Sequence, residues 1–287
     1  MGSEPRPPAV AGQFYAATGA ALAHQVEECF LSARGPESLP LRHRSATRGI
    51  RAAVVPHAGY EYSGPIAALA YAEIAVQRPP ESVLVLGVDH HGAGRGPALS
   101  DVAWTTPLGP TAIDTDLRRA LTRAPLEIDE PAHALEHSIE VQLPFLEYVL
   151  PRPRFVPLQV PYDSFAALEQ VALIVREAVR GRDTLLLAST DLSHYVSPAT
   201  AKRLDRLAIE CILARDARGL YETVATNRIS MCGIAPTTVL LAALAEEPLS
   251  ARLLGWGHSG EARPMEDVVG YAALLLETSP GASSPVK

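Results

Sequence analysis

Three contiguous apolar runs, each broken off at a histidine or an aspartate, constrain this chain more than any other feature. Ala52-Ala53-Val54-Val55 stops at Pro56-His57-Ala58-Gly59, and Ser82-Val83-Leu84-Val85-Leu86-Gly87 runs into Asp89-His90-His91. The third, Leu185-Leu186-Leu187-Ala188, leads to Asp191 and His194. Apolar residues that are contiguous rather than alternating read as strands buried on both faces, as in a parallel sheet covered by helices. In open α/β sheets the ligand crevice lies beyond the carboxyl ends of such strands. Three strands delivering His and Asp to that edge predict one shared site.

The segments between the runs supply the covering helices. Leu22, Val26, Cys29, Phe30 and Ala33 recur at helical spacing, which puts Cys29 in a core. Gly59 and Gly64 let the backbone turn before an Ala/Leu-rich helix over 65–76. Asp114 caps a short helix reaching Arg123, and Ile139, Leu143, Leu146 and Val149 predict another, bent at Pro144. Phe165, Leu168, Ala172, Val175 and Val179 mark the clearest amphipathic helix. Two more start at Ser197-Pro198, carrying Cys211, and at Ile234. Further strands are predicted over 99–104, 155–160, 253–256 and 268–276. The fold class is therefore α/β: a single domain over 1–287 with a central, largely parallel mixed sheet flanked by helices, its ends at 1–8 and 279–287 flexible.

Composition removes several function classes. A net charge of −7 gives no general electrostatic case for nucleic acid. No run approaches the roughly 20 apolar residues of a membrane span, and the start lacks a basic-then-apolar signal pattern. Three cysteines without such a signal argue against a disulfide framework. A soluble, cytoplasmic protein is expected.

Histidine carries the chemistry. Of nine, His57, His90, His91, His133, His137, His194 and His258 lie outside clear apolar faces. Neutral imidazole is the commonest metal ligand. His57 and one of His90 and His91 are expected from neighbouring strand tips, close enough to share an ion; adjacent residues in an extended turn point to opposite sides, so one of the pair ligates. Cys232, between Met231 and the helix near Ile234, is either a thiol activated at a helix N-terminus or a small buried residue. Asp191 and His194 fit an acid/base pair or orienting partners. His133-Ala134-Leu135-Glu136-His137 spells the inverted-zincin pattern, although Pro131 places His133 at the very start of any helix.

These residues carry a family resemblance. Ala9-Val10-Ala11-Gly12-Gln13-Phe14-Tyr15, Pro56-His57-Ala58-Gly59-Tyr60 with Tyr62-Ser63-Gly64, and Leu86-Gly87 with His90-His91 resemble the Memo family, in its bacterial and archaeal branch called AmmeMemoRadiSam system protein B. The match continues through Glu136-His137-Ser138-Ile139-Glu140, Leu143-Pro144, Asp191 with Ser193-His194, Cys232-Gly233 and Gly270-Tyr271-Ala272-Ala273. The resemblance implies a class III extradiol dioxygenase-like fold with one non-haem iron site. It implies His57, His91 and Cys232 as metal ligands, with His137, Asp191 and His194 lining the same pocket as the catalytic groups. Cys232 stands where the related dioxygenases have a carboxylate, which softens the site and admits copper beside Fe(II). Val88-Asp89 departs from the family's usual Pro and small polar residue before the His pair.

The leading expectation is a metal-dependent redox or dioxygenase-like protein acting on a small substrate, with Fe(II) or Cu as cofactor and Zn less favoured. Tyr60, His90 and Tyr195 are expected to contact substrate. Two rivals share the pocket: a binding module for a peptide or other ligand that turns nothing over, and a zinc hydrolase dependent on Glu136. Self-association and a functional link to AMMECR1-like and radical SAM proteins follow from the resemblance alone.

Overall fold

The computed structural model describes residues 4–42 and 44–278. Its strands are β1 (Ile50–Val55), β2 (Ser82–Gly87), β3 (Ala98–Leu99), β4 (Trp104–Thr106), β5 (Gly109–Ile113), β6 (Glu127–Ile128), β7 (Arg154–Gln159), β8 (Thr184–Ser189), β9 (Leu249–His258) and β10 (Gly270–Thr278). The helices are α1 (Gly19–Leu31), α2 (Tyr60–Val76), α3 (Thr115–Leu121), α4 (Glu130–His133), α5 (Leu143–Val149), α6 (Phe165–Val179), α7 (Pro198–Leu213), α8 (Ala217–Asn227) and α9 (Ile234–Ala243). They form one α/β domain around a ten-stranded mixed sheet, ordered β4-β5-β7-β2-β8-β1-β10-β9, with β3 and β6 off that path. The stretch from β5 to β1 is parallel, and β10 and β9 close that side antiparallel.

The contiguous apolar runs are explained by the two faces of this sheet. Ala52, Val54, Leu84, Leu86, Leu186 and Ala188 pack on one side with α6, α7, α8 and α9. Their alternates Ala53, Val55, Val83, Val85, Leu185 and Leu187 pack on the other with α1, α2 and α5. With both sides covered, the period-2 pattern of a half-buried strand has no place.

Local departures from the expected elements have physical causes. Helix α2 begins at Tyr60 and runs through Gly64 and Pro65. Pro65 lacks the N–H that would bond the Glu61 carbonyl one turn back. Arg34 supplies that donor at 2.8 Å and holds the Tyr62 carbonyl at 2.9 Å. Gly64 is needed because a Cβ there would strike the Cys29 sulfur of α1. Pro144 does not bend a helix; it sits in the first turn of α5, where no partner for its nitrogen is required. Helix α8, not foreseen, buries just Leu220 and Val224 and is capped by Asp216, which accepts from Gly219 N at 2.8 Å.

Of the stretch 1–8 expected to be flexible, residues 1–3 lie outside the described residues, and Arg6 makes specific contacts. Arg6 is buried, pairs with Glu140 at 2.7 Å and bridges to Trp104. Residues 279–287 lie outside the described residues. Among the described residues no helix is long and apolar enough to cross a membrane.

Candidate metal centre

The central strand decides the site. β8 lies between β1 and β2, so His57 and His90 leave strands two positions apart rather than neighbouring ones. Their turns curl over the end of β8 and bring the two rings to 5.2 Å between centroids. Ser189, the last residue of β8, fills the gap beneath them.

Hydrogen bonds around Ser189 assign the His57 tautomer. The Gln142 amide nitrogen donates to the Pro56 carbonyl at 2.9 Å and to Ser189 Oγ at 2.8 Å, while its oxygen accepts from Tyr71. Ser189 Oγ gives its own hydrogen to the Ser138 carbonyl at 2.6 Å. Toward His57 Nδ1, 3.0 Å away, Ser189 is therefore an acceptor, and the ring is protonated at Nδ1. Burial, with the charges of His137 and His90 in support, holds the ring neutral far below the usual imidazole range. The Nε2 lone pair is left facing outward, 3.2 Å from Cys232 Sγ.

His90 is set in the same way by a carboxylate. Its Nδ1 lies 2.9 Å from Glu136 Oε1, and its amide donates to Oε2 at 2.8 Å. Ser138 N gives Oε1 a further bond at 2.8 Å. These donors outweigh the cost of burying Glu136 and hold its carboxyl far below the usual range. An anionic acceptor on Nδ1 directs the His90 Nε2 lone pair away from it, the arrangement that orients metal-ligating imidazoles. Gly87 makes this possible: a Cβ there would collide with Ile139 and come within 2.7 Å of Ser138 Oγ.

Cys232 reaches the site through a second close approach. A Cβ on Gly233 would collide with Thr190 and lie 2.7 Å from the Ser189 carbonyl. The Gly233 amide donates to Thr190 Oγ1 at 2.9 Å, which seats the start of α9 on the end of β8. Cys232 Sγ then accepts from Asp191 N at 3.3 Å. The helix start does not win here. Burial first, and the Asp191 carboxylate second, push the thiol up, so without a cation Cys232 is a protonated thiol. A coordinated cation reverses that balance, because it favours thiolate directly.

Donor atoms of His57, His90 and Cys232 lie within 4.8 Å of one another. His91, expected as the ligand, is not in this group; His90, expected at the substrate, is. Glu136 fixes which ring turns inward, and no local spacing distinguishes the two. A second group, His90, Glu136 and His137, shares the same space. His137 stacks on His90 at 4.6 Å and against Phe14 at 4.6 Å, and burial lowers it to about 4.

The remaining predicted residues separate into near and far. Asp191 is buried beside His57, accepts its amide at 2.8 Å, and is pushed by burial up to about 6. His194 directs Nδ1 at the carbonyls of Leu192 and Ser230, at 2.9 and 2.8 Å, which protonates Nδ1 and leaves Nε2 free. Tyr195 is exposed beside it. Tyr60, expected at the substrate, is a core residue, its hydroxyl donating to the Val141 carbonyl at 2.7 Å. His133 is buried against Trp104 at the end of α4, apart from the donor group. That helix spans just Glu130–His133, so His133 and His137 share no helical face and the zincin geometry is absent. Sequence reasoning missed Ser189 and Gln142, whose roles depend on three-dimensional hydrogen bonding, and Phe14, whose signal was its place in the family segment.

A family profile described as Memo-like protein matches residues 6–275. The chain belongs to the Memo family. A MEMO1 family protein of Methanopyrus kandleri is 40% identical over 279 residues, covering 94% of this chain and 98% of the relative. One from Methanothermobacter thermautotrophicus is 38% identical over 278 residues, covering 94% and 99%. In fold, the Memo chain is similar to an uncharacterized Escherichia coli K12 protein of known crystal structure, with a TM-score of 0.50 at 15% identity, covering 78% of this chain and 99% of that one. Within this Memo chain the grouped donors are two imidazoles and one thiol, a set suited to a borderline or soft divalent or monovalent cation.

Proposed function

We propose that this Memo-family chain is a metalloprotein that binds one Fe(II) or copper ion through His57, His90 and Cys232. The observation that carries this reading is the tautomer logic: each imidazole has Nδ1 engaged by a dedicated acceptor, which leaves Nε2 for a ligand, and His57 Nε2 lies 3.2 Å from Cys232 Sγ within a group whose donor atoms all lie within 4.8 Å of one another. Such an ion supplies one-electron and oxygen chemistry. The chain's own groups handle protons around it. In this reading His137 and His194 accept or donate protons, and Asp191, at the His57 turn, is an orienting carboxyl. A small substrate approaches past Tyr195 and the exposed edge of His90. The zinc-hydrolase reading is weaker, because Glu136 would have to act as general base. A carboxylate held ionised by three N–H donors is a poor one. Association with AMMECR1-like and radical SAM proteins is proposed on family membership, with co-purification as its check.

The test is anaerobic purification followed by metal analysis by mass spectrometry, with His57→Ala and Cys232→Ser alongside. Near-stoichiometric iron or copper that is lost from both variants supports the reading and justifies an oxygen-consumption screen. Zinc alone revives the hydrolase. No metal after reconstitution with Fe(II) and Cu(I) sinks the metalloprotein reading and leaves a ligand-binding module.

A further inference from the structure

We propose that residues 6–15 form a strap that positions the metal centre, and that Arg6 is its positioning residue. The inference rests on the site reading above and adds a part of the chain that no motif assigns to it. Arg6 lies beneath the turn that carries Glu136. Its Nε donates to the His133 carbonyl and one terminal nitrogen to the Glu136 carbonyl, both at 2.8 Å. The guanidinium stacks over Trp104 at 4.1 Å, and Trp104 also meets the His133 ring.

Two backbone bonds within that turn are longer than the usual N–H···O separation: Ala134 N to Pro131 O is 3.3 Å and Glu136 N to His133 O is 3.2 Å. Arg6 thus fixes the backbone of Glu136, whose carboxylate fixes His90. The other terminal nitrogen of Arg6 pairs with Glu140 at 2.7 Å, and Glu140 gathers the strap: Ala9 N at 2.8 Å, Val10 N at 3.0 Å and the Tyr15 hydroxyl at 2.6 Å.

The far end of the strap touches the opposite wall. The Phe14 ring lies on His137, and the Phe14 carbonyl accepts from Tyr60 N at 2.8 Å, three residues after His57. One segment therefore braces both the Glu136–His137 turn and the His57 turn. Arg6 touches no donor atom, so it acts through Glu136.

The experiment uses Co(II) as probe on the full chain, reading affinity and the visible ligand-field spectrum, together with the low-field proton resonance of His90 Nδ1–H. The variant Arg6→Met/Glu140→Gln removes both charges so that neither is left buried alone. Val171→Ala, in α6 on the opposite face of the sheet, serves as a destabilised control. The strap predicts a roughly 10–100-fold loss of Co(II) affinity, the range for a lost outer partner of a metal-ligating histidine. It also predicts a changed spectrum and loss of the His90 resonance in the double variant, partial recovery in Arg6→Lys, and a lowered Tm with unchanged affinity and spectrum in Val171→Ala. A folded double variant with wild-type affinity, spectrum and resonance overturns the proposal. Wild-type protein that binds no Co(II) overturns the metal reading instead, and the His90 resonance then decides the strap by itself.

Discussion

Glu136 and Glu140 stand four residues apart, both fully buried, and do different work. Around Glu136 the partners are an imidazole and two amides, and the imidazole has a second nitrogen that faces the site. Around Glu140 the partners are Arg6, two amides and a tyrosine hydroxyl, all belonging to the strap. Residue type and burial are the same in both regions. What differs is whether the partner has a free face. A buried carboxylate whose donors all end in the protein ties chain segments together, whereas one bound to a ring with a spare lone pair aims that ring at something else.

Breaking the second region should give the largest effect on stability. Glu140→Ala leaves Arg6 buried and unpaired, and the expected loss is about 3–5 kcal/mol, read by thermal or denaturant unfolding. A loss below 1 kcal/mol would mean that the hub is less engaged than its bonds indicate. Glu136→Gln should cost less stability than Glu140→Ala but about 10–100-fold in metal affinity, measured by competition with a chromophoric chelator. If Glu140→Ala lost affinity with unchanged stability, and Glu136→Gln the reverse, the two roles would have to be exchanged. Ser189→Ala removes the acceptor for His57 Nδ1–H. About a tenfold drop in affinity is expected, with ring nitrogen shifts showing the other tautomer; unchanged shifts would refute the assignment.

A partly buried carboxylate sharpens the contrast at smaller scale. Glu147 in α5 is bonded by the hydroxyls of Thr106 and Thr111 and has no ion-pair partner among the described residues. Burial outweighs those bonds and raises its pKa. A carboxyl raised in the folded state contributes stability below its unfolded pKa, and that contribution is lost as pH rises through the folded value. Glu147→Gln should therefore raise Tm slightly at pH 7 and lose that advantage as pH falls from the raised folded value to the unfolded value near 4.5. A melt series over that window checks the sign.

Much of this was legible beforehand, and the illegible parts share a cause. The apolar runs announced buried parallel strands, and His57 and Asp191 stood at their ends because strand termination and site placement are one event. Helix α6 showed its face through its spacing, whereas α8 buries too few residues to leave a pattern. The strand order was not readable, so β8 was not foreseen between β1 and β2. The orientation of His90 lay with Glu136, 46 residues away. Arg6 sits among prolines and reads as a loose end until Glu140 is seen opposite it. Local periodicity reports burial; partner identity comes from contacts distant in sequence.

The interposed β8 also bears on how the protein is made. His57 and Cys232 are separated by 175 positions, and Ser189 must insert between two strands that precede it before His57 has its acceptor in place. A growing chain that has emerged only as far as β7 carries both imidazoles but no wedge to join them, and no thiol to close the set. For the centre proposed above, the full set of His57, His90 and Cys232 is therefore complete only once the chain has been made past the last of them and β8 has entered the sheet.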